Sequence, residues 1–138
     1  MLPLLDNGER KLMPHDIKIV SAREFVRTNA KGEFDLEESK NLLLTVFSKM
    51  KDAKISDVVL DFREASSTML GVEVLQLFTH LHHLGSLSNR KIAIVYRPKD
   101  DLDRAKIFEA CAQKRGYQVA AFQDFEEAIT WLYPPEEP

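Results

Sequence analysis

Residues 55–85, ISDVVLDFREASSTMLGVEVLQLFTHLHHLG, change hydrophobic period midway, and that change restricts what the chain can fold into. Val58, Val59 and Leu60 form a continuous apolar run, rich in β-branched residues, as expected for a strand covered on both faces in a mainly parallel sheet. The strand is expected to end near Asp61 or Phe62. After the polar residues 63–68, apolar side chains recur at Leu70, Val74, Leu77, Leu81 and Leu84, with Leu75 and Phe78 widening the stripe. This is helical spacing, and Gly85 is suited to close the helix. In open α/β sheets ligand and partner surfaces lie at the carboxyl ends of the strands, so residues 61–70 are where function is expected.

The remaining segments extend the same alternation. Residues 17–22 and 24–30 read as two short strands, with Ile17 and Ile19 on one face of the first, paired as a hairpin at a sheet edge. Lys31, Gly32 and Glu33 break the pattern. Asp35 with Glu38 three residues later forms a capping box for a helix over 36–51, whose apolar positions are Leu42, Leu43, Val46, Phe47 and Met50. IAIVY within 91–96 is a second interior strand, ended by Pro98. Asp101 or Asp103 caps a helix burying Ile107, Phe108, Cys111 and Ala112, which Gly116 ends. YQVAAF is the last strand, and 125–133 a final helix held by Phe125, Ile129 and Leu132. The order β-β-α-β-α-β-α-β-α describes one α/β domain over 14–133. Residues 1–13 form a poorly ordered extension, with Met13 an alternative start, and 134–138 an acidic tail.

Composition narrows the partners. A chain of 138 residues with 44% hydrophobic and 30% charged residues suits a single core. The formal charge of −3 leaves no electrostatic footprint for nucleic acid. Cys111, the only cysteine, cannot form an internal disulfide, which fits a reducing cytoplasm, and no apolar run has the length of a membrane span.

Several residues have the chemistry of a site, each beside a plainer role. Ser66, Ser67 and Thr68 precede a helix, where their oxygens suit capping of free N–H groups. His80 and His83 share a helix face with Gln76 and Glu73, but no cysteine or carboxylate at close ligand spacing completes a metal set, and a partner-facing surface is expected instead. Asp61 at a strand end is placed like the phosphoacceptor of response-regulator receivers. That family also needs an acidic pair after the first strand and a lysine after the last, and neither is present. Asp100, Asp101 and Asp103 sit at a helix start, where acidic residues answer the helix dipole. There is neither a nucleophile-elbow pattern nor a phosphate-binding glycine loop, so no catalytic residue and no cofactor is assigned.

The element order and the stretch VVLDFREASSTMLGVEVL resemble the STAS domain, the SpoIIAA-like fold of anti-sigma-factor antagonists, in particular its divergent bacterial branch. Ser66-Ser67 and Leu70-Gly71-Val72 are similar to the family's Asp-Ser-Ser-Gly loop and the Leu-Gly-Val that opens the next helix, with one inserted residue between them. Ala65 stands in place of the family's Asp, and Thr68-Met69 in place of its Gly. The resemblance implies a mainly parallel central sheet with an edge hairpin strand and about four helices. It also implies a non-enzymatic domain that binds a protein partner, such as an anti-sigma-factor-like kinase, through Asp61, Thr68, Gly71, Glu73, Gln76, His80 and His83. Ser66 and Ser67 are its phosphorylation candidates; a phosphate at a helix N-terminus meets free N–H groups while its charge disrupts an interface. The related CRAL-TRIO fold supplies the alternative, a small-molecule or lipid carrier, although the chain has little spare apolar sequence to line a cavity. Oligomeric state is left open.

Overall fold

The computed structural model describes residues 16–21, 25–98 and 103–135, with side chains from Phe25 onward. The expectations for the 1–13 extension, Met13, Asp100, Asp101 and residues 136–138 lie outside the described residues. The elements follow in the expected order: β1 (Asp16–Ser21), β2 (Phe25–Phe34), α1 (Leu36–Ala53), β3 (Asp57–Ser67), α2 (Gly71–His83), β4 (Lys91–Val95), α3 (Arg104–Lys114), β5 (Gln118–Phe122) and α4 (Phe125–Leu132).

The strands form one sheet in the order β1-β2-β3-β4-β5. β1 pairs antiparallel with β2 as the edge hairpin, and β2 to β5 are parallel. Each parallel connection steps one strand in the same direction, so right-handed crossovers place α1, α2 and α3 together on one face. The main core lies there: Val26, Val58, Leu60, Ile92, Ile94 and Val119 from the sheet meet Val46, Phe47 and Met50 of α1, Val74, Leu77 and Leu81 of α2, and Phe108 of α3. α4, which follows the last strand, covers the opposite face, where Val59, Ala93 and Val95 meet Ala128 and Leu132. The two-sided burial expected for the VVL and IAIV runs is therefore present. Lys91 Nζ donates to the Trp131 and Leu132 carbonyls at 3.0 and 3.2 Å, satisfying the open end of α4.

Local signals match at α1. Asp35 accepts from Glu38 N–H at 2.8 Å, and the Glu38 carboxylate accepts from Asp35 N–H at 2.9 Å. Gly85 and Gly116 follow α2 and α3 with φ of 71° and 84°, the left-handed geometry that ends helices. On α3, Phe108 and Ala112 are buried while Ile107 and Cys111 are half-buried.

The largest correction concerns β3. It does not stop at Asp61 or Phe62 but runs to Ser67, because β2 likewise continues past Gly32 and pairs with it, Gly32 opposite Ala65 and Phe34 opposite Ser67. A register irregularity between Asn29 and Lys31 carries the ladder across the predicted break. Ser66, Ser67 and Thr68 are consequently not the caps of α2. Leu70 occupies the N-cap, its N–H donating to the Glu73 carboxylate at 2.9 Å. Leu84, expected in the buried stripe, is the C-cap residue and 56% exposed, whereas Leu87, in the loop between α2 and β4, is 1% exposed.

Candidate functional site

Two surfaces meet at the carboxyl ends of the strands, and the sheet separates them. On the face of α1, α2 and α3, the strand extension delivers Ser66 and Ser67, both half-buried, to the start of α2. Ser67 Oγ accepts from Met69 N–H at 3.0 Å, and Thr68 N–H donates to the Phe34 carbonyl at 3.0 Å. This segment is held by backbone bonds rather than spent on capping. Arg104 of α3 adds a bond from its Nε to the Met69 carbonyl.

α2 buries Val74, Leu77, Phe78 and Leu81. Its outward residues are Val72, Leu75, Gln76, Thr79 and His83, while Gly71, Glu73 and His80 are half-buried. The outward stripe is thus rotated from the expected one: Gln76 and His83 lie on it, but Glu73 is turned to the helix start and His80 to the flank. Leu70, Val72 and Leu75 are 63%, 56% and 45% exposed. Leu70 and Leu75 therefore lie outside the buried stripe expected of them. Leu75 stands roughly 100° and Val72 roughly 160° round the helix from Val74, too far for one apolar stripe, and that angle was readable from the sequence. Leu70 is in phase but precedes the helix.

Beneath this segment lies an apolar cavity of about 150 Å³ between the sheet and the helices, lined among others by Leu42, Phe47, Leu60, Leu77, Ile94 and Phe108. The expectation of little spare apolar sequence to line a cavity is corrected. Ala65, Ser66 and Ser67 at the end of β3 also line it.

Asp61 does not join this surface. Strand alternation turns it to the α4 face, where it is 4% exposed and held by Arg63 Nη2 at 2.7 Å, Arg63 Nε at 2.9 Å, Arg27 Nη2 at 3.2 Å and Asn29 Nδ2 at 3.4 Å. Burial pushes its carboxyl pKa up. The Arg63 bonds and charge, with the Arg27 bond, outweigh that and hold it below the usual carboxylate value. Its expected role as a partner contact is therefore corrected: it is an internal counter-ion. Arg27, Asn29, Arg63 and Arg97, which line a polar concavity around it, were not singled out from the sequence. The signal was present, since Arg27 and Asn29, like Asp61 and Arg63, sit two apart on strands and so share a face.

Among the described residues no three His, Cys, Asp or Glu side chains converge as a metal set, and no helix is long and apolar enough to cross a membrane. His82 instead pairs with Tyr117 Oη at 2.6 Å and Arg115 Nη1 at 3.2 Å. Arg115 can only donate, so His82 Nε2 accepts and Nδ1 carries the proton toward Tyr117.

Solved structures share this architecture. The anti-sigma factor antagonist SpoIIAA in its unphosphorylated form matches with a TM-score of 0.55 at 15% identity, over 88% of this chain and 100% of that one. An anti-sigma factor antagonist from Mycobacterium paratuberculosis matches with a TM-score of 0.55 at 12% identity, over 85% of this chain and 92% of that one. An uncharacterized DUF3478-family protein with a SpoIIAA-like fold from Shewanella loihica gives a TM-score of 0.49 at 17% identity, over 86% and 93%. No family model and no curated protein matches the sequence. Element order, parallel strand order and the two matches with a TM-score of 0.55 together give the chain the SpoIIAA-like STAS fold, an α/β sheet with four helices among its described residues.

Proposed function

We propose that the chain is a non-enzymatic regulatory domain of the cytoplasm that binds a protein partner through the start of α2. The observation that carries this reading is the exposure of Leu70, Val72 and Leu75, three large apolar side chains within six residues. Scattered exposed apolar residues are ordinary, but a cluster rimmed by polar groups is the composition of a protein interface. Thr68, Gln76 and His83 supply such a rim, with Gly71, Glu73 and His80 at its border. The fold shared with anti-sigma factor antagonists supports the regulatory class. The partner is a protein of the anti-sigma-factor kinase type. Phosphorylation of Ser66 or Ser67 releases it, because a dianion beside Leu70 opposes an apolar contact. The test is capture from a lysate of the source organism by immobilised wild type and by the Leu70→Asp/Leu75→Asp variant, with Lys51→Glu as control. A partner lost only in the double variant, and released when Ser66 is replaced by Glu, is expected. An unchanged set of captured proteins from a folded double variant refutes the reading.

The cavity supports a second reading, a carrier of a small apolar molecule. About 150 Å³ matches cavities that hold benzene and falls short of the 300–1,000 Å³ of drug-sized sites, which favours a compact occupant over a long acyl chain. Thermal unfolding with and without benzene tests it: a raised midpoint is expected, and an unchanged one at saturation counts against the carrier.

A further inference from the structure

The geometry points to a second site on the opposite side of the sheet: we propose that the concavity formed by Arg27, Asn29, Arg63 and Arg97 binds a ligand through a phosphate group. The concavity has a volume of about 590 Å³, the range of small-molecule sites, and lies beside the middle of β2 and β3 where β4 has ended. Four cations line it, Arg27, Lys31, Arg63 and Arg97, against the two carboxylates of Asp61 and Glu64, a surplus of two positive charges that the nearby Asp124 reduces to one.

A structural ion pair around Asp61 would be complete with Arg63 alone, which already engages both carboxylate oxygens. The second guanidinium is in excess. Arg27 gives one bond to Asp61, and its Nε is buried with no acceptor among the described residues. Both guanidinium groups are also fixed against Phe125, with Cζ 4.3 and 5.8 Å from the ring centroid for Arg27 and Arg63. Asp61 and Phe125 therefore hold two arginine forks in place before any ligand arrives, lowering the entropy cost of binding. Arg97, two residues beyond the end of β4, is exposed and supplies a third guanidinium. Planar donors in excess of their acceptors, held at fixed positions, suit the several oxygens of a phosphate, and the remaining volume takes the group that bears it.

Such a phosphate can arrive on a soluble ester or on a lipid head group. The test uses the full chain at low ionic strength, titrated calorimetrically with inorganic pyrophosphate and with glycerol 3-phosphate, beside sedimentation with phosphatidylglycerol vesicles. Saturable binding that Arg97→Gln weakens at least fivefold, and that Lys49→Gln on α1 leaves unchanged, is expected. Arg63→Lys, which keeps the charge but not the fork, should weaken it as well. Binding of the soluble anions without sedimentation assigns an ester; sedimentation that Arg97→Gln abolishes assigns a head group. No saturable binding of any probe, or equal loss in Arg97→Gln and Lys49→Gln, overturns the site. Because neither Arg63 nor Arg97 belongs to α2, and Arg63 faces α4, the outcome is read separately from partner capture through Leu70 and Leu75.

Discussion

Replacing Asp61 by Asn retains its volume and removes its charge. The carboxylate accepts two bonds at Oδ1, from Arg63 N–H and Nε, and three at Oδ2, from Arg27, Asn29 and Arg63 Nη2. Whichever way the amide turns, its NH₂ faces at least two donors that lose their acceptor. Hydrogen bonds to charged groups contribute about 1.5–3 kcal/mol each, and breaking one side of a fully buried pair costs about 3–5 kcal/mol. Here the two arginines are each 39% exposed, so water recovers part of the loss and the lower value applies. The expected destabilisation is ~3 kcal/mol at neutral pH. For a chain of this size each kcal/mol moves the melting midpoint by about 4 °C, so Tm should fall by roughly 12 °C.

The same replacement has a pH signature. Because the folded Asp61 carboxyl titrates below its ordinary value of 3.8, the unfolded chain binds the proton first as pH falls. The Asp61 contribution is fully present above 3.8 and is lost below it, as pH falls through the lowered folded value. Urea unfolding of wild type and Asp61→Asn between pH 7 and pH 3 should therefore give a gap that is constant at the upper end and narrows at the acid end. A gap below about 1 kcal/mol at pH 7, or one that does not narrow in acid, refutes the assignment of Asp61 as a paired internal carboxylate.

Three further substitutions test the helices. Leu81→Ala removes a side chain with no exposure and should cost about 3–4 kcal/mol, whereas Leu84→Ala, on a residue 56% exposed, should stay within about 0.5 kcal/mol by urea denaturation; comparable losses would mean that the α2 stripe is misphased. Asp35→Ala opens the capping box of α1 and should lower stability by about 1 kcal/mol, and an unchanged midpoint would contradict the reciprocal Asp35–Glu38 bonds.

Legibility followed the range of the forces involved. The VVL and IAIV strands, the Asp35 box and the glycines after α2 and α3 were readable because each rests on neighbours within a turn or a strand. The far half of β3 was not. Arg63, Glu64, Ala65, Ser66 and Ser67 carry no strand pattern of their own, and they are extended because residues 31–34 of β2, distant in sequence, offer them a ladder. The expected capping role of Ser66–Thr68 failed with it, since a residue committed to that ladder cannot also cap the helix beyond. The proposed sites divide in the same way. Ser66, Ser67 and the start of α2 could be located from the period change, but the inward or outward direction of Leu70 and Leu75 depended on where the helix began and which side packed.

The sequence by itself determined the alternation of strands and helices, the two strands buried on both faces and the ends of the helices, because period, caps and β-branched runs are local properties of the chain. Only the tertiary structure decided that Asp61 lies across the sheet from Leu70, that four cations gather around it, and that a cavity remains beneath Ser66. Those relations depend on strand register and on the hand of the crossovers, which bring together residues 27, 63 and 97 that no local interaction connects.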